Sequence, residues 1–435
     1  MTRHFLALLF LALAAAGCVV DEGEEVGAQC DDGADNDADA LYDCDDPDCM
    51  SEAVCVDSGD DDDSSPADDD DSTGDDDDSA GDDDDSAGDD DDSASSSTYV
   101  GALTLATGAA ADWFCHTWDR VDGDLSITFQ QETTLSSLSC LREVTGELRI
   151  SSLSLESANL PALTTLLGPL VVRQNEQLLS LSLPMLSMSG GLELSSNPLL
   201  ADVSGLAGLQ QVAGSFEMFS NAQLSEVDID ALAVVQGDVE VRSNQSLQRL
   251  RLDGLVTVGG ELSVLFHPSL VELRLPSLDV VTGNLRVSSN ELLEEISIPA
   301  LSGVGGVVYV GTNMALASLQ LPLMSSVGSL RISNNMSLPM VELGSLTLVT
   351  GDLHVAVNNS LPHLEMPWLI TVQGDFYVGS NASLASFGFS ALQSVSGEFR
   401  VTHNQSLSTS IIQSVITSLG SGIGGAVVLE GNAPG

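Results

Sequence analysis

A glycine returns at nearly fixed spacing through most of the chain: Gly101, Gly123, Gly146, Gly168, Gly190, Gly214, Gly237, Gly260, Gly283, Gly306, Gly328, Gly351, Gly374, Gly397 and Gly425. These fifteen starts are 22 to 24 residues apart, apart from a last interval of 28. Each is followed by an apolar–polar–apolar triplet. A fixed period of this length marks a solenoid, one coil per repeat, here about fourteen coils over residues 99–435.

The positions within a repeat have separate physical jobs. The second and fourth residues after the glycine are apolar, as in Leu285 and Val287 or Phe376 and Val378. Alternation at period two is a strand with one buried face. The seventh residue is Asn in every repeat from Asn175 to Asn432, except where His267 stands. An Asn at the same turn of each coil can bond the neighbouring coil's backbone, which predicts a buried ladder. A second short strand follows, such as Leu273-Arg274-Leu275, often ended by a proline. An apolar pair such as Leu278 and Val281 then closes the coil. Two strands leave no room for a helix in 23 residues. The exception is the long last interval, where 410–419 has apolar residues at helical spacing and predicts a short capping helix.

The pattern Gly-x-Leu-x-Val-x-x-Asn-x-x-Leu-x-x-Leu-x-Leu-Pro-x-Leu-x-x-Val resembles the receptor L domain. That resemblance covers 99–435 and implies an all-β, right-handed parallel β-solenoid, leucine-rich-repeat-like, of a kind used for ligand recognition at cell surfaces. The Cys-rich region and kinase of the receptors are absent, so signalling is not implied.

Charge divides the chain. Residues 21–93 hold 35 acids with no Lys or Arg, while 94–435 hold 30 acids and 11 Arg. All twelve cations are Arg and the net charge is −53. The absence of Lys excludes a phosphate-binding loop of the Walker type. The acidity argues against nucleic acid as a partner, because such binding begins with a basic surface.

Residues 1–17 read as a secretion signal: Arg3, then an apolar run from Phe5 to Gly17, too short to span a bilayer. Ala15-Ala16-Gly17-Cys18, with Leu13 upstream, resembles a bacterial lipobox, which implies a lipid on Cys18 and a membrane partner through that anchor. Val19 in place of Asp points to the outer membrane or the cell surface. After an anchor segment, 18–29, residues 30–56 form an Asp- and Cys-rich module. Its loop puts Asp35, Asp37, Asp39, the Leu41 carbonyl, Asp43 and Asp46 at the alternating positions of a twelve-residue calcium loop. Ala40 replaces the usual turn glycine, and no helices flank the loop. The module resembles the calcium modules of thrombospondin type 3, which makes calcium the one cofactor expected. Residues 57–98, Asp-Asp-Asp-Asp-Ser-Ala-Gly with variations, have nothing to bury and repel themselves, as expected of a disordered, extended linker. With Cys18 lipidated, six cysteines remain, an even number for an exported chain: Cys30, Cys44, Cys49 and Cys55, whose pairing is open, and Cys115 with Cys140, late in successive coils, where a disulfide would clamp the weakest repeats.

No catalytic constellation stands out. The six His make no ligand-spaced pair, and no nucleophile elbow is present. The expectation is a non-catalytic protein, with a purely structural envelope protein or a polysaccharide lyase as alternatives. The third residue after each glycine points outward. In the later coils this column reads Arg286, Tyr309, Arg331, His354, Tyr377 and Arg400. Coils about 4.8 Å apart make it a stripe of roughly 25 Å. It suits an anionic polymer or a protein partner, and it is the candidate ligand-binding face. The alternative is that its long side chains merely cover the sheet, with Arg facing neighbouring acids.

Overall fold

The structure is a computed structural model and describes residues 97–435. The assignments made for 1–17, 18–29 and 30–56, and the linker 57–98 up to residue 96, including Cys18 and the calcium ligands, lie outside the described residues. The expected linker runs too far at its end, because Thr98 opens a strand, Thr98–Val100, that pairs with Arg120–Asp122. Residues 97–435 form an all-β, parallel solenoid of about 13 coils of about 23 residues.

Each regular coil carries three strands. In the coil that begins at Gly260 they are Leu262–Leu265, Glu272–Arg274 and Val280–Val281. Val281 of the closing apolar pair therefore sits on a short third strand, while Leu278 lies just before it. The first strands, and the third strands from the coil at Gly168 onward, belong to one 23-stranded sheet; the earlier third strands pair with Thr98–Val100 in a four-stranded sheet, and the second strands form short sheets of two or three. Pairing is parallel and position on position, as in Leu262↔Leu285 and Ser263↔Arg286. Alternation turns Leu262, Val264, Leu273 and Val281 inward, where all are buried. Stacked coils merge these residues into one core running the length of the solenoid. A fully buried Leu or Val contributes about 1.5–3 kcal/mol relative to exposure, so each coil is held chiefly by its two neighbours.

From Gly123 onward the glycine at each start is a clearance requirement. A Cβ on Gly283 would lie 2.7 Å from the carbonyl carbon of Gly260. The Gly283 N–H donates to the Gly260 carbonyl at 2.8 Å, and the same bond recurs from Gly306 to Gly283. Any side chain here would push two coils apart and break that bond.

The predicted asparagine ladder is present. Asn290 donates from its side-chain amide to the Val264 carbonyl at 3.0 Å, and its Oδ1 accepts the His267 N–H at 3.1 Å. The ladder asparagines from Asn175 to Asn404 are 0% exposed, so these backbone groups have no water to turn to. His267 keeps the ladder intact. Its Nδ1 accepts the Asn244 N–H at 3.3 Å and its Nε2 bonds the Val241 carbonyl at 3.0 Å. The neutral tautomer protonated on Nε2 thus does the work of both ends of an amide. The residue just before each ladder position has φ of 56–61° in eleven successive coils, among them Phe266, Thr312 and Val357. None is a glycine, and nothing in the residue types announces this left-handed corner.

The carboxyl end is closed by a helix, Thr409–Leu419, which buries Ile412, Val415 and Leu419. The amino end differs from the two-strand coil expected there. A helix, α1 (Gly108–Thr117), occupies the first repeat interval in place of a second strand. Thr107 caps it, accepting the Ala110 N–H, and Phe114 and Ala111 are its buried face. An end coil has no preceding coil to cover its core, and a helix covers more area than a three-residue strand. Trp118 packs on Trp113 and Tyr99 with ring centroids 4.8 and 5.5 Å away. Cys115 on α1 and Cys140 in the next coil form a disulfide, with Cα atoms 5.6 Å apart.

Candidate binding face

Strand register decides whether the outward column is a real surface feature. Arg286 pairs with Tyr309, Tyr309 with Arg331, Arg331 with His354, His354 with Tyr377 and Tyr377 with Arg400. The six residues therefore form an unbroken file across six strands on the outer surface of the large sheet. Upstream the same file is acidic, with Glu193, Glu217 and Glu240 in register. Burial and the flanking Glu240 and Glu193 carboxylates push the Glu217 carboxyl above the usual carboxylate range.

Two contiguous shallow troughs run along the later half of the file. One, of about 420 Å³, lies between Arg286, Tyr309 and Arg331 on one side and Val307 and Ser329 on the other. The second, of about 380 Å³, continues past Tyr377 to Arg400. Arg331, Asp352 and His354 line both. The far wall is the first residue after each glycine, a column that the sequence reading did not single out. It forms a second inter-coil ladder: Asp352 Oδ1 accepts the Asp375 N–H at 2.9 Å, and Asp375 Oδ1 accepts the Glu398 N–H at 2.7 Å. These carboxylates point along the axis toward the next coil and do not converge on a point. Among the described residues, no three His, Cys, Asp or Glu side chains are placed to share a cation.

The arginines divide by partner. Of the eleven described, nine lie within 4 Å of a carboxylate, and Arg173 and Arg331 do not. On the second strands the pairing is forked, as where Arg249 grips Glu226 at 2.9 and 2.8 Å. In the stripe, Arg286 leans to Glu261 at 3.4 Å and Arg400 to Glu398 at 2.8 Å. Two of its three arginines are thus sheet cover facing neighbouring acids. Arg331, exposed at the centre, is not.

The aromatic members are set by a contact that strand alternation cannot reveal. Each tyrosine ring leans along its own strand over the glycine two residues on. A Cβ on Gly311 would lie 2.4 Å from the Tyr309 hydroxyl, and one on Gly379 would lie 2.2 Å from that of Tyr377. The tripeptide Tyr-Val-Gly, at 309–311 and again at 377–379, is the sequence trace of this arrangement. The His354 ring lies 4.7 Å from the Tyr377 ring. Burial, and secondarily the Arg331 guanidinium, hold the His354 pKa below the usual imidazole range against the pull of Asp352. The ring is therefore neutral at pH 7.

Compared with known proteins, the chain matches no family model, no curated protein and no solved structure.

Proposed function

We propose that this protein is a non-catalytic recognition or adhesion protein of the cell envelope. In this reading a lipid on Cys18 holds it at the outer membrane or cell surface. The acidic linker, 57–97, carries the solenoid clear of the anchor, and the Asp35–Asp46 loop is ordered by calcium. The glycine–asparagine–leucine pattern is what supports a likeness to receptor L domains. The observation that carries the reading is the in-register file from Arg286 to Arg400, with two contiguous troughs and an arginine at its centre that no acid neutralises. A polysaccharide lyase would need a cluster of carboxylates with a basic residue; in the two troughs, Asp352 and Asp375 each accept a backbone amide of the next coil through Oδ1.

The test is saturable binding of the protein to envelope fractions or to whole cells, compared with Tyr309→Ala plus Arg331→Ala. Unchanged capture by the double variant, or no saturable capture at all, would leave a purely structural envelope protein. Cys18→Ala should release the protein from the membrane fraction. Calorimetric titration of the 26–56 segment should show heat at millimolar calcium; heat no greater than buffer would remove calcium from the reading.

A further inference from the structure

The ligand of this face can be narrowed, on the premise that the face is a binding site. We propose that it takes an uncharged polysaccharide chain, laid along the solenoid axis across the strands, with Tyr309 and Tyr377 as stacking platforms.

Three observations point this way. The first is the attitude of the rings. A tyrosine whose hydroxyl end lies over the glycine two residues on lies along the sheet, half-buried, which leaves ring surface open to a ligand. Both stripe tyrosines do this, and both sit beside the only residue type that permits it. Open aromatic surface packs against the C–H face of a pyranose ring. Tyr309 and Tyr377 are three strand steps apart in one register, or about 14 Å, so one extended chain can rest on both.

The second is charge. The two troughs are lined by three arginines, Arg286, Arg331 and Arg400, and three carboxylates, Asp352, Asp375 and Glu398. With His354 neutral, they carry no net charge. An anionic polymer would gain one unpaired guanidinium while meeting three carboxylates, on a body already carrying 30 acids against 11 Arg. Sugar hydroxyls fit this lining better. Each both donates and accepts, so neighbouring hydroxyls can give to a carboxylate and receive from an arginine.

The third is shape. The troughs are shallow, open and joined end to end through Arg331, Asp352 and His354. That form fits a segment of a long chain passing over the surface.

The experiment uses the full chain against immobilised neutral polysaccharides (a β-glucan, a mannan, a galactan), a polyuronate and a sulfated glycan, with and without calcium. Saturable binding to a neutral polymer is expected, changing less than about threefold between about 50 and 500 mM salt. Tyr309→Ala plus Tyr377→Ala should weaken it about tenfold or more, while Tyr309→Phe plus Tyr377→Phe, which keep the rings, should retain most of it. Gly311→Ala plus Gly379→Ala should also weaken it, because the atoms nearest the added methyls are those of the tyrosine side chains, which must lift away. Binding confined to the charged polymers and decaying with salt would overturn the uncharged class. Neutral binding that survives loss of both rings would overturn the site. If no polysaccharide binds but Tyr309→Ala plus Arg331→Ala still loses envelope capture, the sugar class fails and the binding face stands. If neither effect is seen, both fail.

Discussion

The residue that most deserves a stability measurement is a ladder asparagine. Asn290 satisfies one buried carbonyl, at Val264, and one buried amide, at His267. Asn290→Ala deletes both bonds and leaves both groups without a protein partner. Each orphaned group costs about 1–3 kcal/mol, so a loss of about 2–6 kcal/mol is expected in urea unfolding, far above that of an exposed polar position. His267 adds a pH dependence that the asparagines lack. Burial holds its pKa below the ordinary imidazole value, with the two backbone bonds opposing. The folded state therefore binds the proton less readily than the unfolded chain. Its stabilising effect is complete above about pH 6.5 and is lost as pH falls below that toward the lowered folded value. His267→Asn should remove that component, so the stability difference between variant and parent should shift in the variant's favour as pH drops from about 7.5 to 5. A constant difference would mean that His267 takes up its proton at the same pH in the folded and the unfolded chain. Both positions were legible as a column in the sequence because the period exposes them. The φ > 0 corner just before them was not, since Ser, Gln, Phe, Thr, Asn, Val and His all occupy it. Its geometry is dictated by the coil closing on itself, and residue preference has no part in the choice.

At the scale of elements, the ends behave differently from the middle. An interior coil is covered on both sides, but an end coil must be covered by something else, and here a helix does it at each end. The carboxyl-terminal helix could be read from an interval five residues too long and a run of Ile, Val and Leu at helical spacing. Helix α1 could not be found that way, because its interval is 22 residues, like the coils. Its own signals, a Thr107 cap and an Ala-rich first turn, are local and were outweighed by the period. The Cys115–Cys140 disulfide ties α1 to the next coil across 25 residues, a loop length that corresponds to about 3.5 kcal/mol of stabilisation. Cys115→Ser plus Cys140→Ser should therefore not unfold the solenoid as a whole. In hydrogen exchange, protection should fall first and most over 97–150 and stay near parental values beyond about residue 200. A uniform fall along the chain would show that the coils unfold as one unit.

At the scale of the whole molecule, the file on the outer sheet exists because every coil stacks on the last without slipping, so one sequence position becomes one line on the surface. Period-two alternation and a constant repeat were enough to read that line. The far wall of the troughs and the leaning tyrosines were not readable, because both depend on the direction a side chain takes after it leaves the sheet. A modular surface of this kind can be tested by removing a module. Deleting 261–283 takes out one complete coil upstream of the stripe and joins Gly260 to Asn284. The ladder then closes from Asn244 to Asn290, and the Gly260 carbonyl faces the Gly306 amide as the Gly283 carbonyl did. Arg286 loses its Glu261 partner, but Tyr309 to Tyr377 keep their spacing. The shortened protein should stay folded, about 4.8 Å shorter, with ligand capture within about threefold of the parent. Deleting 329–351 has the same structural cost but removes Arg331 and brings Tyr309 one strand closer to Tyr377. Capture should fall about tenfold or more while the circular dichroism remains that of a folded β protein. Equal effects of the two deletions would place recognition elsewhere on the solenoid. Unequal effects, with both proteins folded, would tie it to the spacing that the coils impose on the stripe.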